Sequence, residues 1–315
     1  MPANGSARVL VTGGRGFVGA RLTAELGRRR PDWEIDAPSG LPGDPGAVDV
    51  TSAEAVADWV RRGRPDMVVH LAAVSAVTQA TSEPRVAWDV NLGGTLNLVL
   101  ALMEHAPGAR LLYVSSAEVY GATFQEGRPV DESGLLQPVN AYAASKAAAD
   151  ILVRQAAAGG LSAVVMRPFN HIGPGQSEAF AVPSFAAQIA RIEAGRQPPV
   201  LHVGSLDDER DFLDVEDVVD AYVRALEQPT EDRVFNVASG EPVRMGDLLE
   251  RLLSMSSRRI EVRTDPSRLR ATSVRRVLGD AGRLRAALGW RPRRELSATL
   301  QAILAEQRTL AAGLA

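Results

Sequence analysis

Arg8-Val9-Leu10-Val11-Thr12-Gly13-Gly14-Arg15-Gly16-Phe17-Val18-Gly19 decides the fold of this chain. The short apolar run before the glycines has the length of a buried strand, and the glycines end it as a turn. Residues 20–29 then read as a helix. Strand, glycine turn and helix make the opening of a beta-alpha-beta unit that supplies a physical site for a dinucleotide. Gly13 permits the tight turn, Gly16 lets backbone N–H groups approach a pyrophosphate, and Gly19 allows close packing of the helix. The spacing is G-x-x-G-x-x-G, one residue longer than the standard fingerprint, so the flanking strand and helix carry as much of the reading as the glycines.

Outward from this turn, short apolar runs alternate with helical patterns. Buried strands are expected at 67–71, 111–115, 163–167 and 234–237, with helices at 86–104 and 142–157 between them. The alternation predicts an α/β fold, a doubly wound parallel sheet of the Rossmann type with right-handed crossovers. After Arg167 the pattern breaks into Pro- and Gly-rich stretches at 168–175 and 196–205, then an Arg-rich portion after Gly240. A length of 315 residues exceeds the usual size of one core. We therefore expect a dinucleotide-binding domain over 1–167, to which 213–237 returns, and a smaller substrate-binding region over 168–212 and 238–315, lying on the carboxyl edge of the sheet.

Composition narrows the chemistry. With no cysteine there is no disulfide, thiolate catalyst or zinc-thiolate site, and four scattered histidines make no metal site. A net charge of −3 argues against general nucleic-acid affinity. The N-terminal Met1-Pro2-Ala3-Asn4-Gly5-Ser6 lacks an apolar signal region and no run of about 18 apolar residues occurs, so a cytoplasmic protein away from the membrane is expected. The arginine excess over 258–294 reads either as an anion pocket or as a solvated face.

Tyr142-Ala143-Ala144-Ser145-Lys146 opens an alanine-rich helix with a phenol and an ammonium four residues apart, on one face, where the lysine charge can stabilise a phenolate. Such pairs also arise by chance on exposed helices. Ser115-Ser116-Ala117-Glu118-Val119-Tyr120-Gly121 lies between this pair and the glycine turn, which gives three motifs in order. Asp36, followed by Ala37-Pro38-Ser39, is the candidate acid for an adenosine ribose. Arg15 reads either as a partner for a 2'-phosphate or as a solvated turn residue. Asp49-Val50 reads as a cover for the adenine, or Asp49 as a helix-capping or strand-end acid, and the choice between NADP and NAD stays open.

From about Val9 to Trp290 the three motifs resemble the extended short-chain dehydrogenase/reductase family, the NAD-dependent epimerases and dehydratases, which act mostly on nucleotide sugars. The resemblance implies a catalytic set of Ser116, Tyr142 and Lys146, with Glu118 beside it. Tyr142 would exchange the proton at the sugar oxygen as hydride moves, and Ser116 would hydrogen-bond the same oxygen. Lys146 would tune the phenol and hold the nicotinamide ribose. It further implies a cofactor lining of Gly13, Arg15, Gly16, Phe17, Val18, Gly19, Asp36, Asp49, Val50, Leu71, Ala72, Ala73, Asn91, Ser115, Tyr142, Lys146 and Phe169. His70 is expected to be a satisfied strand-end histidine.

Arg167-Pro168-Phe169-Asn170-His171-Ile172-Gly173-Pro174-Gly175-Gln176, Glu209-Arg210-Asp211-Phe212-Leu213-Asp214-Val215 and Val277-Leu278-Gly279-Asp280 resemble the branch handling GDP-4-keto-6-deoxymannose. On that likeness Ser116, Glu118, Asn170, Val182, Arg210 and Arg270 touch a GDP-hexose substrate, with structural salt bridges as the alternative for the two arginines. Asp214 and Asp217 are expected to cap the following helix. A dehydratase carries an acid and a base after its Ser/Thr. Here Ala117 cannot donate a proton, so a 4-ketoreductase is expected first, a 4,6-dehydratase next and a 4-epimerase third. The alternative of another class is a nicotinamide redox sensor without turnover. Ala143, Ala144 and Ala147–Ala149 beside Ile151 and Leu152 let this helix approach others closely, and with 86–103 they predict a four-helix homodimer interface.

Overall fold

A computed structural model of the chain describes residues 6–40, 44, 46–228, 230, 233–269 and 274–313. The first half runs β1 (Arg8–Thr12), α1 (Phe17–Arg29), β2 (Glu34–Asp36), α2 (Ala53–Gly63), β3 (Met67–His70), α3 (Val77–Ser82) and α4 (Pro84–Trp88). A π turn at Asp89–Gly93 joins α4 to α5 (Gly94–His105). Then come β4 (Arg110–Val114), a 3-10 stretch at Ala117–Glu126, α6 (Ala141–Ala158) and β5 (Ser162–Pro168). The second half holds β6 (Asn170–Ile172), α7 (Ala181–Glu193), β7 (Val200–Val203), β8 (Glu209–Asp214), α8 (Val215–Glu227) and β9 (Val234–Val237). It ends with β10 (Pro242–Arg244), α9 (Met245–Ser254), β11 (Glu261–Thr264), β12 (Arg276–Val277), α10 (Gly282–Leu288) and α11 (Leu296–Gly313).

Six parallel strands form the main sheet in the order β2-β1-β3-β4-β5-β9. The order reverses between β1 and β3, which is where an open α/β sheet makes its ligand crevice, beyond the strands' carboxyl ends. Helices cover both faces. Val9, Val11, Met67 and Val69 point to one core with Leu22 and Leu26 of α1. Leu10, Val68, Leu111 and Tyr113 point to the other with Val56, Val60, Leu98 and Leu102. This period of two with both faces apolar is what a strand buried on each side requires. The four strands expected at 67–71, 111–115, 163–167 and 234–237 are present within one or two residues of those bounds, and β2 is added at the sheet's edge.

The chain after Arg167 holds further strands that the sequence pattern did not suggest. β8 pairs with β6 and β12 in parallel and with β10 antiparallel, and β7 pairs with β11. These strands have two to six residues, too short for a periodic signal. A third core, including Phe185, Ile189, Leu248, Leu252, Leu300 and Ile303, joins α7, α9 and α11. The division expected at 238–315 differs in one part: Val277, Ala281, Leu284, Leu288 and Trp290 are buried in the same cluster as β1 and α8. The Trp290 indole donates to the Asp217 carbonyl at 2.9 Å, which ties this segment back to the first core.

Candidate active site

The turn after β1 is held between two strand ends. Gly13 has φ +68°, and a Cβ there would lie 2.8 Å from the Ala72 nitrogen. A Cβ on Gly14 would lie 2.5 Å from Ala37 Cβ, and one on Gly19 would lie 2.1 Å from the Gly13 carbonyl oxygen. Gly16 is the N-cap of α1, with no side chain capping the helix and no acid in its first turn. The N–H groups of Phe17, Val18 and Gly19 therefore have no acceptor inside the helix, and the dipole favours an anion before them. Thr12 fixes the opposite wall: its hydroxyl accepts from the Leu71 and Ala72 N–H groups, both at 3.2 Å, and meets His70 Nδ1 at 2.6 Å. Ser115, just past the end of β4, is buried with its hydroxyl lacking a hydrogen-bond partner among the described residues. A helix N-terminus open to an anion and an orphaned hydroxyl two strands away fit a dinucleotide laid across the carboxyl ends of β1, β3 and β4.

Several residues expected in the cofactor lining are otherwise engaged. The Asp36 carboxylate accepts from the Trp59 indole at 2.7 Å. The Arg15 guanidinium is exposed and lies 3.2 Å from Asp44. Asp49 closes a turn, accepting from the Thr51 N–H and hydroxyl, while Ser52 takes the cap of α2. Val50 is buried against Gly94, and its carbonyl accepts from Asn97. Phe17 stacks on His171 under the Arg21 guanidinium, so its backbone is the part turned to the anion site. Phe169 is a correction: its ring is 2% exposed, edge-on to Phe124, and a Cβ on Gly279 would strike it at 2.5 Å. The ring is core filling, which leaves only the backbone of this residue for a ligand.

Ser116, Tyr142 and Lys146 come together where β4 ends and α6 begins. Asn140 caps α6 by accepting from the Ala143 N–H at 2.8 Å, which places Tyr142 in the first turn and Lys146 one turn on. Lys146 is 4% exposed, donates to the Val114 carbonyl at 2.5 Å and sits 4.6 Å above the Tyr113 ring. Burial lowers its pKa to about 7, against the opposing pull of the Asp150 carboxylate. Burial also pushes the half-buried Tyr142 phenol up to about 12, a hydrogen bond from Ser116 lowers it, and the nearby charge of Glu118 raises it. Ser116 caps the 3-10 stretch by accepting from the Glu118 N–H at 3.2 Å. Four of the expected residues thus share one place.

Behind them stands a buried polar layer. Asn91, inside the π turn, pairs with both the N–H and the carbonyl of Val74 and donates to the Ser145 hydroxyl at 2.9 Å. His70 is 1% exposed, with a hydroxyl on each ring nitrogen (Thr12 and Thr95), and burial holds its pKa near 3. It is the satisfied strand-end histidine expected. Thr12, Ser145 and Asp150 were missed from the sequence. Ser145 and Asp150 carried a signal, being polar in an alanine-rich helix at positions flanking Lys146.

On the substrate side, Asn170 is exposed at the start of β6. Arg210 is largely buried, pairs with Asp208 at 3.1 Å and donates to the Glu209 and Arg275 carbonyls. Val182 is a correction: its side chain is 2% exposed in the third core, because it faces inward from the first turn of α7. Arg270 lies outside the described residues. Asp214 caps α8 by accepting from the Glu216 N–H. Asp217 instead accepts from the Arg293 and Arg294 N–H groups, correcting its expected cap role, because a carboxylate in the first turn also faces the chain packed beside it. Of the arginines over 258–294, Arg263, Arg268, Arg276, Arg283 and Arg285 each pair with an acid.

A parallel sheet with this switch point, a glycine turn on a helix N-terminus and a clustered Ser-Tyr-Lys group define an extended short-chain dehydrogenase/reductase. The model of the NAD dependent epimerase/dehydratase family matches residues 9–238, and the chain belongs to that family. Among curated proteins it is 39% identical to GDP-6-deoxy-D-mannose reductase of Pseudomonas aeruginosa, over 95% of this chain and 96% of that one. It is 28% identical to GDP-6-deoxy-D-talose 4-dehydrogenase of Aggregatibacter actinomycetemcomitans, over 90% and 91%. Among solved structures, RMD from Pseudomonas aeruginosa complexed with NADPH superposes with a TM-score of 0.85 at 37% identity, covering 97% of this chain and 98% of the other. UDP-glucose 4-epimerase of Thermus thermophilus in complex with NAD gives 0.83 at 28% identity, covering 96% and 99%.

Proposed function

We propose that the chain is an NAD(P)-dependent nucleotide-sugar 4-ketoreductase that reduces GDP-4-keto-6-deoxy-D-mannose at C4, giving a GDP-D-rhamnose type product. The observation that carries the reading is the convergence of Ser116, Tyr142 and Lys146 at the carboxyl end of β4, two strands along the same sheet edge from the anion site of α1. Near full-length likeness to a GDP-6-deoxy-D-mannose reductase supports the substrate class. When bound, the nicotinamide supplies the hydride. Tyr142 gives its proton to the sugar oxygen, Ser116 hydrogen-bonds that oxygen, and Lys146 stabilises the phenolate left behind. The backbone N–H groups of the α1 turn hold the pyrophosphate, and the Ser115 hydroxyl faces the nicotinamide half. Glu118 and Asn170 contact the sugar and diphosphate, with Arg210 turning to a phosphate.

Incubation with the 4-keto sugar nucleotide and NADPH or NADH, followed by mass analysis, should show a gain of two mass units and consumption of the reduced cofactor. A second reading, 4,6-dehydration, draws on the Glu118 carboxylate beside Tyr142, a base for removing a proton at C5. A 4-keto-6-deoxy sugar formed from GDP-mannose by the unmodified protein would establish it and sink the reductase-only assignment. In that case Glu118→Gln abolishes water loss.

The protein acts in the cytoplasm as a homodimer on this reading. The helical rod Pro84–His105 is long and apolar enough to cross a membrane, its most apolar 18 residues having a mean hydropathy of 1.3, yet 44% of that stretch is buried. Its apolar excess lies outward: Leu96, Leu100 and Met103 are 40–55% exposed, and Ile151 on α6 is 53% exposed. Spaced along one stripe of α5, they suit pairing with the same helices of a second copy. Sedimentation should give a dimer at micromolar concentration, and Leu100→Glu should shift it toward monomer.

A further inference from the structure

Lys146 is the only lysine in the chain, although 35 side chains are Lys or Arg. Every other fixed side-chain cation is an arginine, whose charge does not titrate in the working range of a protein. Among the lysine and arginine positions, 146 alone carries a cation whose protonation its surroundings can set. From β4 the Tyr113 ring and the Val114 carbonyl face it, and neutral His70 faces it from β3. Tyr142 lies one turn before it on α6 and Asp150 one turn after.

Asp150 is 0% exposed, and so is its partner Arg167 on β5. The pair is bidentate, with Arg167 Nε to Oδ2 at 2.9 Å and a terminal guanidinium nitrogen to Oδ1 at 2.8 Å. Arg154, at the α6 surface, approaches Oδ1 at 3.7 Å. The guanidinium also donates to the Tyr120 hydroxyl at 2.9 Å. That hydroxyl donates to Asn236 Oδ1 at 2.7 Å, and Asn236 Nδ2 donates to the Val130 and Asp280 carbonyls. The carboxylate is thereby locked by α6, β5, β9 and the 3-10 stretch together. A buried ion pair stabilises a core no better than well-packed apolar residues do, so its place, in register with Tyr142 and Lys146 at successive turns of one helix face, calls for a different account.

We propose that Asp150 is a positioning residue for the proton relay: its carboxylate keeps Lys146 charged while Tyr142 gives up its proton, and Arg167 keeps that carboxylate fixed and ionised. The inference rests on the ketoreductase reading for its catalytic meaning. In the step concerned, a C–H bond forms at C4 with hydride from the reduced nicotinamide, the Tyr142 O–H breaks, and an O–H forms on the sugar. Lys146 stabilises the residual phenolate by charge only while it is itself protonated. Burial already draws that ammonium toward neutrality, and Asp150 opposes it.

Because there is one lysine, protein grown on lysine labelled with 13C at Cε gives a single side-chain signal, and its pH titration reads Lys146 without any substrate. In Asp150→Asn the titration midpoint should fall by about 1 pH unit or more, the usual scale for removing a close opposite charge. The alkaline limb of kcat/KM for ketone reduction should move down with it. Asp150→Asn leaves Arg167 stranded, so Asp150→Asn with Arg167→Met, which strands no charge, is the second variant, and its midpoint should fall too. A purely structural role would lower activity at all pH values and leave the midpoint in place. An unmoved Lys146 signal in the folded double variant overturns the proposal. A shifted signal in a protein that reduces no ketosugar would sink the ketoreductase reading alone.

Discussion

The two sides of the active crevice are built from different materials. On the side proposed for the cofactor the wall is main chain: Gly13, Gly14, Gly16 and Gly19, three helix N–H groups and the strand ends at Leu71 and Ala72. On the side proposed for the substrate it is side chain, Ser116, Glu118, Asn170 and Arg210, and the cation among them is already paired with Asp208. A backbone wall holds its donors in place before a ligand arrives. A rim of paired side chains must exchange partners to bind one, which makes binding there cost more and depend on the ligand's charge. The first wall suits a cofactor common to a whole family, and the second suits discrimination among sugar nucleotides.

The sharpest way to separate these walls is through the group standing between them. Tyr142→Phe should lower kcat roughly 10²-fold or more, the scale of losing a positioned acid, while cofactor affinity measured by fluorescence titration stays within a few fold. Comparable turnover would remove Tyr142 from the mechanism. Next in size is Gly19→Ala, which drives a Cβ to 2.1 Å from the Gly13 oxygen and 2.7 Å from Gly14 Cα. Only backbone movement relieves that contact. Thermal unfolding should show about 1–3 kcal/mol of lost stability, and calorimetry a cofactor affinity down roughly tenfold, or about 1.4 kcal/mol. If the affinity is unchanged, the turn does not hold the pyrophosphate. Smallest is Arg210→Ala on the rim: KM for the sugar nucleotide should rise several fold with kcat nearly constant, the pattern of uniform binding lost. An equal fall in kcat would move Arg210 from binding to chemistry.

The same contrast explains what was legible in the amino-acid sequence. The glycine turn could be read because a main-chain site leaves its mark as absent side chains at fixed spacing. Tyr142 and Lys146 could be read because one helix turn relates them. Val182 and Phe169 could not be placed, since an apolar residue beside a site looks the same in sequence whether it faces the ligand or the core. Asp36 and Asp49 were ambiguous for a related reason: Trp59 and Thr51, which take up their carboxylates, are ordinary residues of a helix and a loop. Arg167 stood in a quoted motif, but its partner Asp150 lies across a strand and a helix, and only the folded chain brings them together. The strands of the smaller region escaped notice because β8 draws its three partners from distant, very short segments.

The π turn at Asp89–Gly93 amounts to one extra residue wound into an otherwise regular helix. Each residue of an α-helix advances about 100° around the axis, so removing one there would restore an unbroken helix from Pro84 to His105 and turn its first segment by roughly that angle against the second. Asn91 would swing off Val74 and Ser145, while Leu96, Leu100 and Met103 would keep their outward heading. Indel tolerance along this helix is therefore uneven: the apolar stripe and the support of the active site share one rod, and a one-residue length change inside it would uncouple them without altering any other amino acid.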